Sequence, residues 1–404
     1  MAWGRSPQAM SWQIHDLMTQ RHEFVQLASQ PGANRSALCR RFGISRKTGY
    51  KWLGRYRVQG ASALVDRSRR PQTSPRRTAG PVRQAVLALR AKHPAWGPRK
   101  LRRRLSDLGR RDLPAPSTVA ALLRREGCVT TQASRDHRPC QRFERAAPNE
   151  LWQMDFKGHF ALGRGGRCHP LTVLDDHSRY VLALQACAQE NGLTVQAHLA
   201  HRFRCYGLPE AILCDNGSPW GSGTGEHTAL TVWLLRLGVR VLHGRPRHPQ
   251  TQGKDERFHR TLQTELLARH DWPDLAQAQR RFDRYRDLYN LERPHEALGL
   301  AVPVTRYQPS PRSFPEQLPS LEYASNEVVR RVKGKGEITF QNRFFYIGRA
   351  FCGLPLALRP SARPGQYTVC LAAHRLGGID LTQPNDRPFG NYFPLLPLSN
   401  IHPS

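Results

Sequence analysis

Acidic side chains, long apolar runs and closely spaced cysteines are all scarce in this 404-residue sequence. No apolar run approaches the roughly 18 residues of a membrane-spanning helix, and the N-terminus lacks a signal-peptide pattern, so we expect a soluble protein that stays inside the cell. The 9 cysteines are scattered singly, with no Cys-x-x-Cys, which indicates reduced thiols in a cytoplasm. His137 and Cys140 have metal-like spacing, but no second pair stands beside them, which argues against zinc.

The shortage of acidic residues leaves a large positive charge. Lys and Arg number 62 against 31 Asp and Glu, a formal net charge of +31. Residues 1–150 hold 31 of the basic side chains and 9 of the acidic ones, so the charge is concentrated at the N-terminal end. Neutralising phosphates releases counterions, so nucleic acid is favoured as the partner over a membrane surface or an acidic protein.

Residues 1–65 are predicted to form a helix-turn-helix module. Two short helices flank Gly43, and Ser45 is expected to cap the second one. The small core would consist of Leu38, Phe42, Ile44 and Trp52 or Leu53. The exposed N-terminal turn of the second helix, where a recognition helix meets the major groove, carries Arg46, Lys47, Thr48 and Lys51. The alternative is an ordinary helical hairpin with a solvated basic face.

A second helical module is predicted over residues 81–128, between two basic linkers at 66–80 and 129–148. Three helical patterns follow one another, and Ser117 is the expected cap of the third. The middle helix is very basic, and its candidate DNA-binding residues are Arg99, Lys100 and Arg103. This arrangement favours a second helix-turn-helix, with a small helical bundle as the alternative.

Residues 149–310 are predicted to form an α/β core. Strand patterns at 151–157, 171–175 and 180–184 lie close in sequence, which favours an antiparallel meander. A helix over 193–206 leads into the apolar run Ala211–Cys214, which is typical of a buried strand. A helix at 228–237, a strand at 239–243 and a helix at 274–290 complete the pattern.

Three carboxylates stand at informative places in this core. Asp155 lies mid-strand on the less apolar face, and Asp215 follows a buried strand, where open α/β sheets collect ligands. Glu256 lies near the start of a helix anchored by Phe258 and Leu262 on its other face. Each has an ordinary alternative: a solvent-facing strand residue, an Asp-Asn-Gly turn, and a solvated charge that favours the helix dipole.

Together the ordered blocks resemble the DDE group of insertion-sequence transposases, whose retroviral-integrase-type core is RNase H-like. The matching blocks are Trp152-Gln153-Met154-Asp155, Leu174-Asp175-Asp176-His177-Ser178-Arg179, Asp215-Asn216-Gly217-Ser218, His248-Pro249-Gln250-Thr251-Gln252-Gly253-Lys254 with Glu256-Arg257-Phe258-His259, and Tyr289-Asn290 with Arg293-Pro294-His295-Glu296-Ala297-Leu298-Gly299. By that resemblance Asp155, Asp215 and Glu256 correspond to the catalytic, metal-binding triad. Forty residues separate the last two, more than is usual in the group, and we place the excess in the glycine-rich segment 221–227.

The resemblance implies a transposase that binds the terminal inverted repeats of an element and a target DNA, as a homodimer or larger assembly, in the cytoplasm at the nucleoid. Two Mg²⁺ ions about 4 Å apart, or Mn²⁺ in their place, would stabilise the attacking and leaving oxygens, with Asp155 bridging them. Lys254 and Arg260 are expected to contact DNA phosphates. The alternatives are a transposase-derived DNA-binding protein without catalysis and a nuclease that cleaves without joining.

Residues 320–384 contain several short β patterns, with a hairpin turn at 341–343. The number and length of these strands predict a small, SH3-like β-barrel. Such a domain could bind DNA or a second protomer, or serve only as a structural addition. The predicted fold is thus multidomain: all-α helix-turn-helix modules, an α/β RNase H-like core and a small β-barrel.

Overall fold

The computed structural model describes residues 17–67, 78–128, 144–221, 226–243, 253–383 and 393–395. The chain divides into two compact units, residues 1–77 and 78–404. The His137 and Cys140 pair, His248 and much of both predicted linkers lie outside the described residues. Within the described ranges no helix combines the length and the apolar character that crossing a membrane requires.

The first unit contains three helices around a small core. They are α1 (Leu17–Ser29), α2 (Arg35–Arg41) and α3 (Arg46–Gln59). The buried core residues are Phe24, Val25, Ala28, Cys39, Trp52, Leu53 and Leu64. The predicted division at Gly43 is confirmed, since this residue has a φ of 63° in the turn between α2 and α3. Ser45 caps α3 as predicted, because its side chain accepts a hydrogen bond from the Thr48 N–H.

Close packing in this unit depends on Gly49 in α3. A Cβ atom at this position would lie 2.6 Å from Cys39 Sγ and 2.8 Å from Phe24 Cζ. Only glycine therefore allows α3 to approach α1 and α2 this closely. The buried side of α3 leaves its basic first turn on the opposite, exposed side.

The second unit begins with a three-helix module. It consists of α4 (Gly80–Lys92), α5 (Pro98–Asp107) and α6 (Pro116–Arg125), around Val86, Trp96, Leu101, Leu105, Val119, Leu122 and Leu123. The predicted cap at Ser117 is wrong, because Ala115 is the N-cap and Pro116 opens the helix. Proline suits that first position, where its missing N–H has no partner within the helix.

A mixed sheet forms the centre of the second unit. Its strands are β1 (Trp152–Phe156), β2 (Phe160–Ala161), β3 (Arg167–Asp175), β4 (Val181–Cys187), β5 (Ala211–Cys214) and β6 (Arg240–His243). β3 pairs antiparallel with β1, β2 and β4, which confirms the predicted meander. β5 pairs parallel with both β1 and β6.

Helices cover both faces of this sheet. α7 (Gly192–Tyr206) and α8 (Ala229–Arg236) pack on the face that carries Trp152 and Met154. α9 (Gly253–Glu265) and α10 (Leu275–Asp287) pack on the face that carries Leu174 and Leu184. The central strands therefore lie between two apolar layers, as the α/β prediction requires.

The C-terminal strands form two sheets and not the predicted closed barrel. β7 (Val328–Arg331), β10 (Pro355–Pro360), β11 (Gln366–Leu371) and β12 (His374–Asp380) form one sheet; β8 (Glu337–Phe340), β9 (Arg343–Tyr346) and β13 (Phe393–Pro394) form the other. The barrel prediction rested on the number and length of the strands, which do not specify which strand edges pair. The hairpin turn is confirmed, with Gln341 and Asn342 at φ values of 45° and 60°.

Candidate active site

Two carboxylates stand side by side at one edge of the central sheet. β1 and β5 run parallel, with Gln153 opposite Leu213. Two residues further along each strand lie Asp155, within β1, and Asp215, directly after β5. Because parallel strands keep their register, both side chains reach the same end of the sheet.

The electrostatics of Asp155 reflect this arrangement. Burial, and then the negative charge of Asp215, raise the pKa of the Asp155 carboxyl to about 6. The Phe156 N–H acts in the opposite direction, since it donates to Asp155 Oδ1 at 2.8 Å. A carboxylate pair with this repulsion is an environment that favours a proton or a metal ion.

Asp215 is held by the turn that follows its strand. Its Oδ1 accepts a hydrogen bond from the Gly217 N–H at 3.1 Å, and its carbonyl oxygen accepts one from His243 Nδ1 at 2.8 Å. Asp215 can therefore be both a turn residue, as Asp-Asn-Gly suggests, and a site carboxylate, because the turn orients its side chain.

The first turn of α9 presents two acidic residues on different sides. Glu256 is exposed, whereas Asp255 is 1% exposed and lies against the sheet. Burial, and then the negative charge of Asp155, raise the pKa of Asp255 well above its ordinary value. The segment 244–252, which leads into α9, lies outside the described residues.

Asp255 belongs to a cluster around the buried hydroxyl of Thr172. Thr172 Oγ1 lies 2.9 Å from the Asp155 carbonyl oxygen, 2.8 Å from His259 Nε2 and 3.2 Å from both carboxylate oxygens of Asp255. His259 Nε2 is also 3.4 Å from Asp255 Oδ2. Burial lowers the pKa of His259 to about 3, so its imidazole is neutral at pH 7. Asp155, Asp255 and His259 each bring one ligand atom within 4.8 Å of the others.

A second polar connection joins β1 to the same helix. The Gln153 side chain accepts a hydrogen bond from the Asp255 N–H at 3.2 Å and donates one to Asp176 Oδ1 at 2.8 Å. Lys254 pairs with the other carboxylate oxygen of Asp176. Lys254 and Asp255, the two residues before Glu256, thus tie the first turn of α9 to β1 and to the turn after β3.

Asp255 and Thr172 were not among the site residues predicted from the sequence. Glu256 was placed on an outward face of its helix, and the inward face was assigned to Phe258 and Leu262 alone. One signal was present, because Asp255 and His259 are four residues apart and so share a helix face. Thr172 carried no comparable signal, since only the pairing of β1 with β3 places it opposite Asp155.

The candidate DNA-binding residues differ in their exposure. Arg46, Lys47 and Lys51 are exposed on the first two turns of α3, with Thr48 half-buried; Arg99 of α5 and Arg260 of α9 are exposed as well. Arg103 pairs with Asp107 at 2.7 Å. Lys100 is half-buried, and burial, and then the charge of Arg293, lower its pKa to about 8. Lys254 forms an ion pair with Asp176. All of these residues remain predictions as DNA contacts.

Family models match four fifths of the chain in separate segments. Residues 145–249 and 237–303 match models described as integrase core domain. Residues 20–72 match a helix-turn-helix domain and residues 48–123 a homeodomain-like domain. Residues 327–387 match the C-terminal domain of IS481 family transposases.

Curated relatives include proteins of insertion elements and of retroviruses. The chain is 32% identical over 157 residues to the uncharacterized 31.7 kDa protein of insertion element IS407 from Burkholderia multivorans, covering 39% of this chain and 54% of the relative. It is 30% identical over 158 residues to the uncharacterized 39.2 kDa protein of IS476 from Xanthomonas euvesicatoria, covering 39% and 44%. The Gag-Pro-Pol polyprotein of Mason-Pfizer monkey virus is 32% identical over 127 residues, 31% of this chain and 7% of the polyprotein. The chain thus spans about half the length of the insertion-element relatives it matches.

Solved structures with similarity to the chain include viral integrase structures. One is the cryo-EM structure of the simian T-cell lymphotropic virus intasome in complex with PP2A regulatory subunit B56 gamma, at 14% identity and a TM-score of 0.35, covering 74% of this chain and 100% of that one. Another is the HTLV-2 integrase catalytic core domain in complex with magnesium, in its dimeric form, at 16% identity and a TM-score of 0.27, covering 36% and 89%.

The matches show helix-turn-helix-type domains over residues 20–123 and an integrase core domain over residues 145–303. Residues 327–387 are similar to the C-terminal domain of IS481 family transposases. Together with the insertion-element relatives, these matches confirm the predicted resemblance to insertion-sequence transposases with an integrase-type core.

Proposed function

We propose that this chain binds the ends of an insertion element and catalyses metal-dependent phosphodiester cleavage and strand transfer. The observation that supports this most directly is the pair formed by Asp155 and Asp215, which two parallel strands bring to one sheet edge. Glu256, at the start of the helix that packs over this edge, is the proposed third acid. The proposed enzyme class is a DDE polynucleotidyl transferase and endonuclease.

The residues present fit a divalent metal. Burial, and then the negative charge of Asp215, raise the pKa of Asp155, and a bound cation would stabilise the ionised form of both carboxylates. Mg²⁺ prefers carboxylates, water and substrate phosphate to a closed protein cage, and Mn²⁺ accepts the same ligands. Asp155, Asp215 and Glu256 would hold two such ions, which supply charge stabilisation at the attacking and leaving oxygens.

The chain itself contributes orientation. One oxygen of Asp155 is held by the Phe156 N–H and one of Asp215 by the Gly217 N–H, so both carboxylates are fixed before any DNA arrives. With a pKa of about 6, Asp155 is mostly ionised at pH 7 and available as a ligand. Preorganised groups of this kind avoid reorganisation during the reaction.

The basic modules would position the DNA. The exposed basic residues Arg46, Lys47 and Lys51, on the first two turns of α3, support a role for this helix in recognising the terminal repeats. Cutting two element ends in concert needs two active sites, so we propose a homodimer or larger assembly on DNA. Target DNA would be the second nucleic-acid partner.

The test is a cleavage and strand-transfer assay with uncut and pre-cut element ends, a plasmid target and Mg²⁺. The wild type is compared with Glu256→Gln, which removes one ligand charge, and with Asp271→Asn, which removes one charge from an exposed acid of the same core. We expect Glu256→Gln to lose at least about 100-fold in joining while it still binds ends, and Asp271→Asn to match the wild type.

Three outcomes would contradict this proposal. Equal joining by Glu256→Gln and the wild type would remove Glu256 from the site. End binding without cleavage or joining, in either Mg²⁺ or Mn²⁺, would indicate a DNA-binding protein without catalysis. Cleaved ends with no joined product would indicate a nuclease.

A further inference from the structure

The contact between α9 and the sheet changes character along the helix. Further along, Phe258 and Leu262 pack against apolar residues such as Leu174 and Leu184. At the end next to the catalytic acids, the contact is made by the polar side chains of Gln153, Thr172, Asp255 and His259, all at most 8% exposed. We call these four residues the α9 clamp.

Buried polar groups are costly unless they are hydrogen-bonded, so a polar cluster in this place needs a physical reason. Apolar contacts are non-directional and tolerate small shifts of a helix along a sheet. Hydrogen bonds require both a short distance and a favourable angle, so they define position more narrowly. A clamp of hydrogen bonds fixes the register of α9 where apolar packing would not.

Thr172 is the central member of the clamp. Its hydroxyl lies 2.9 Å from the Asp155 carbonyl oxygen, which can only accept, and 2.8 Å from His259 Nε2, with both carboxylate oxygens of Asp255 at 3.2 Å. This chain of hydrogen bonds begins on α9 and ends on the backbone of Asp155. Gln153, two residues earlier in β1, holds the Asp255 N–H at 3.2 Å, and Asp255 is the neighbour of Glu256.

We propose that Thr172 and His259 are positioning residues: they set the start of α9, and with it Glu256, relative to Asp155, and so determine metal affinity. This inference rests on the proposed function, because it assigns the clamp to the same carboxylate site. Neither residue ligates metal in this scheme. Partners that orient metal ligands from behind commonly change metal affinity or activity 10–100-fold when they are lost.

Two substitutions at Thr172 separate positioning from packing. Thr172→Val keeps the shape and removes the hydroxyl, whereas Thr172→Ser keeps the hydroxyl and removes a methyl group. Mn²⁺ binding to the full-length protein is measured by titration calorimetry with the metal alone, and the Mg²⁺ concentration for half-maximal strand transfer is measured beside it. We expect roughly 10-fold weaker Mn²⁺ binding and a higher Mg²⁺ requirement for Thr172→Val, with Thr172→Ser within about 2-fold of the wild type.

A matched variant on the helix side guards against a folding artefact. His259→Ala removes the other hydrogen-bonding partner but leaves the Thr172 hydroxyl free to bond the Asp155 carbonyl oxygen. We expect it to weaken Mn²⁺ binding in the same direction. Thermal unfolding in EDTA shows whether each variant is folded before its metal binding is compared, and this variant carries the test if Thr172→Val is not folded.

The outcomes distinguish this inference from the function on which it rests. Wild-type metal affinity in folded Thr172→Val or His259→Ala would overturn the positioning role alone. An equal loss in Thr172→Ser and Thr172→Val would make Thr172 a packing residue, which also overturns it. If the wild type, in the same way as Glu256→Gln, binds no Mn²⁺, both the metal site and the clamp's role are overturned.

Discussion

The burial of Asp155 beside Asp215 predicts that the metal-free fold is destabilised at its candidate active site. The pKa of Asp155 rises from an ordinary 3.8 to about 6. A carboxyl whose pKa is raised on folding favours the folded state when it is protonated. Its stabilising contribution is fully present below the unfolded value and is lost as the pH rises through about 6.

The magnitude follows from the size of this change. At about 1.4 kcal/mol for each tenfold change in proton affinity, the raised pKa of Asp155 lowers the free energy of unfolding at neutral pH by on the order of 3 kcal/mol. Asp155 is only half-buried, so solvent screening reduces the expected effect to about 1–2 kcal/mol. Asp155→Asn has the shape of the protonated acid, keeps an acceptor for the Phe156 N–H and never ionises.

The assay is urea unfolding of the full chain in EDTA, at several pH values between about 4 and 8. We expect Asp155→Asn to be more stable than the wild type at neutral pH, by about 1–2 kcal/mol, with the difference shrinking toward pH 4. In the Asp215→Asn background the gain should be smaller, since the second cause of the raised pKa is then absent. A destabilised Asp155→Asn, or a gain that does not change with pH, would refute this account of the site.

Two further predictions concern the core and the DNA-binding surface. Glu265 and Arg293 form an ion pair with side chains 9% and 7% exposed, so Glu265→Gln should destabilise the fold by about 3 kcal/mol. In the control Glu292→Gln, whose partner Arg104 is more exposed, the loss should be under about 1 kcal/mol. Equal losses in urea unfolding would contradict this prediction. Lys51→Ala should make the negative slope of log affinity against log salt for element-end DNA shallower by about 1. An unchanged slope in a fluorescence-anisotropy titration would remove Lys51 from the phosphate contacts.

Much of the architecture was available from the sequence, because local patterns determine local structure. Alternation predicted the strands of the meander, the apolar run Ala211–Cys214 matches β5, and glycine with a serine cap marked the turn before α3. The same patterns identified Asp155, Asp215 and Glu256 as candidates, since the positions of acids relative to strand and helix ends depend on short-range order. The excess of basic charge at the N-terminal end predicted a polyanionic partner on composition alone.

The tertiary structure decided which of these groups meet. The parallel pairing of β1 with β5 places Asp155 beside Asp215, and the antiparallel pairing of β1 with β3 places Thr172 opposite Asp155. Packing of α9 against the sheet buries Asp255. Lys254 forms an ion pair within the protein. The pairing of the C-terminal strands into two sheets was decided in the same way. Sequence periodicity specifies the face on which a side chain lies, but the partner on that face depends on contacts between residues distant in the chain, which no local pattern encodes.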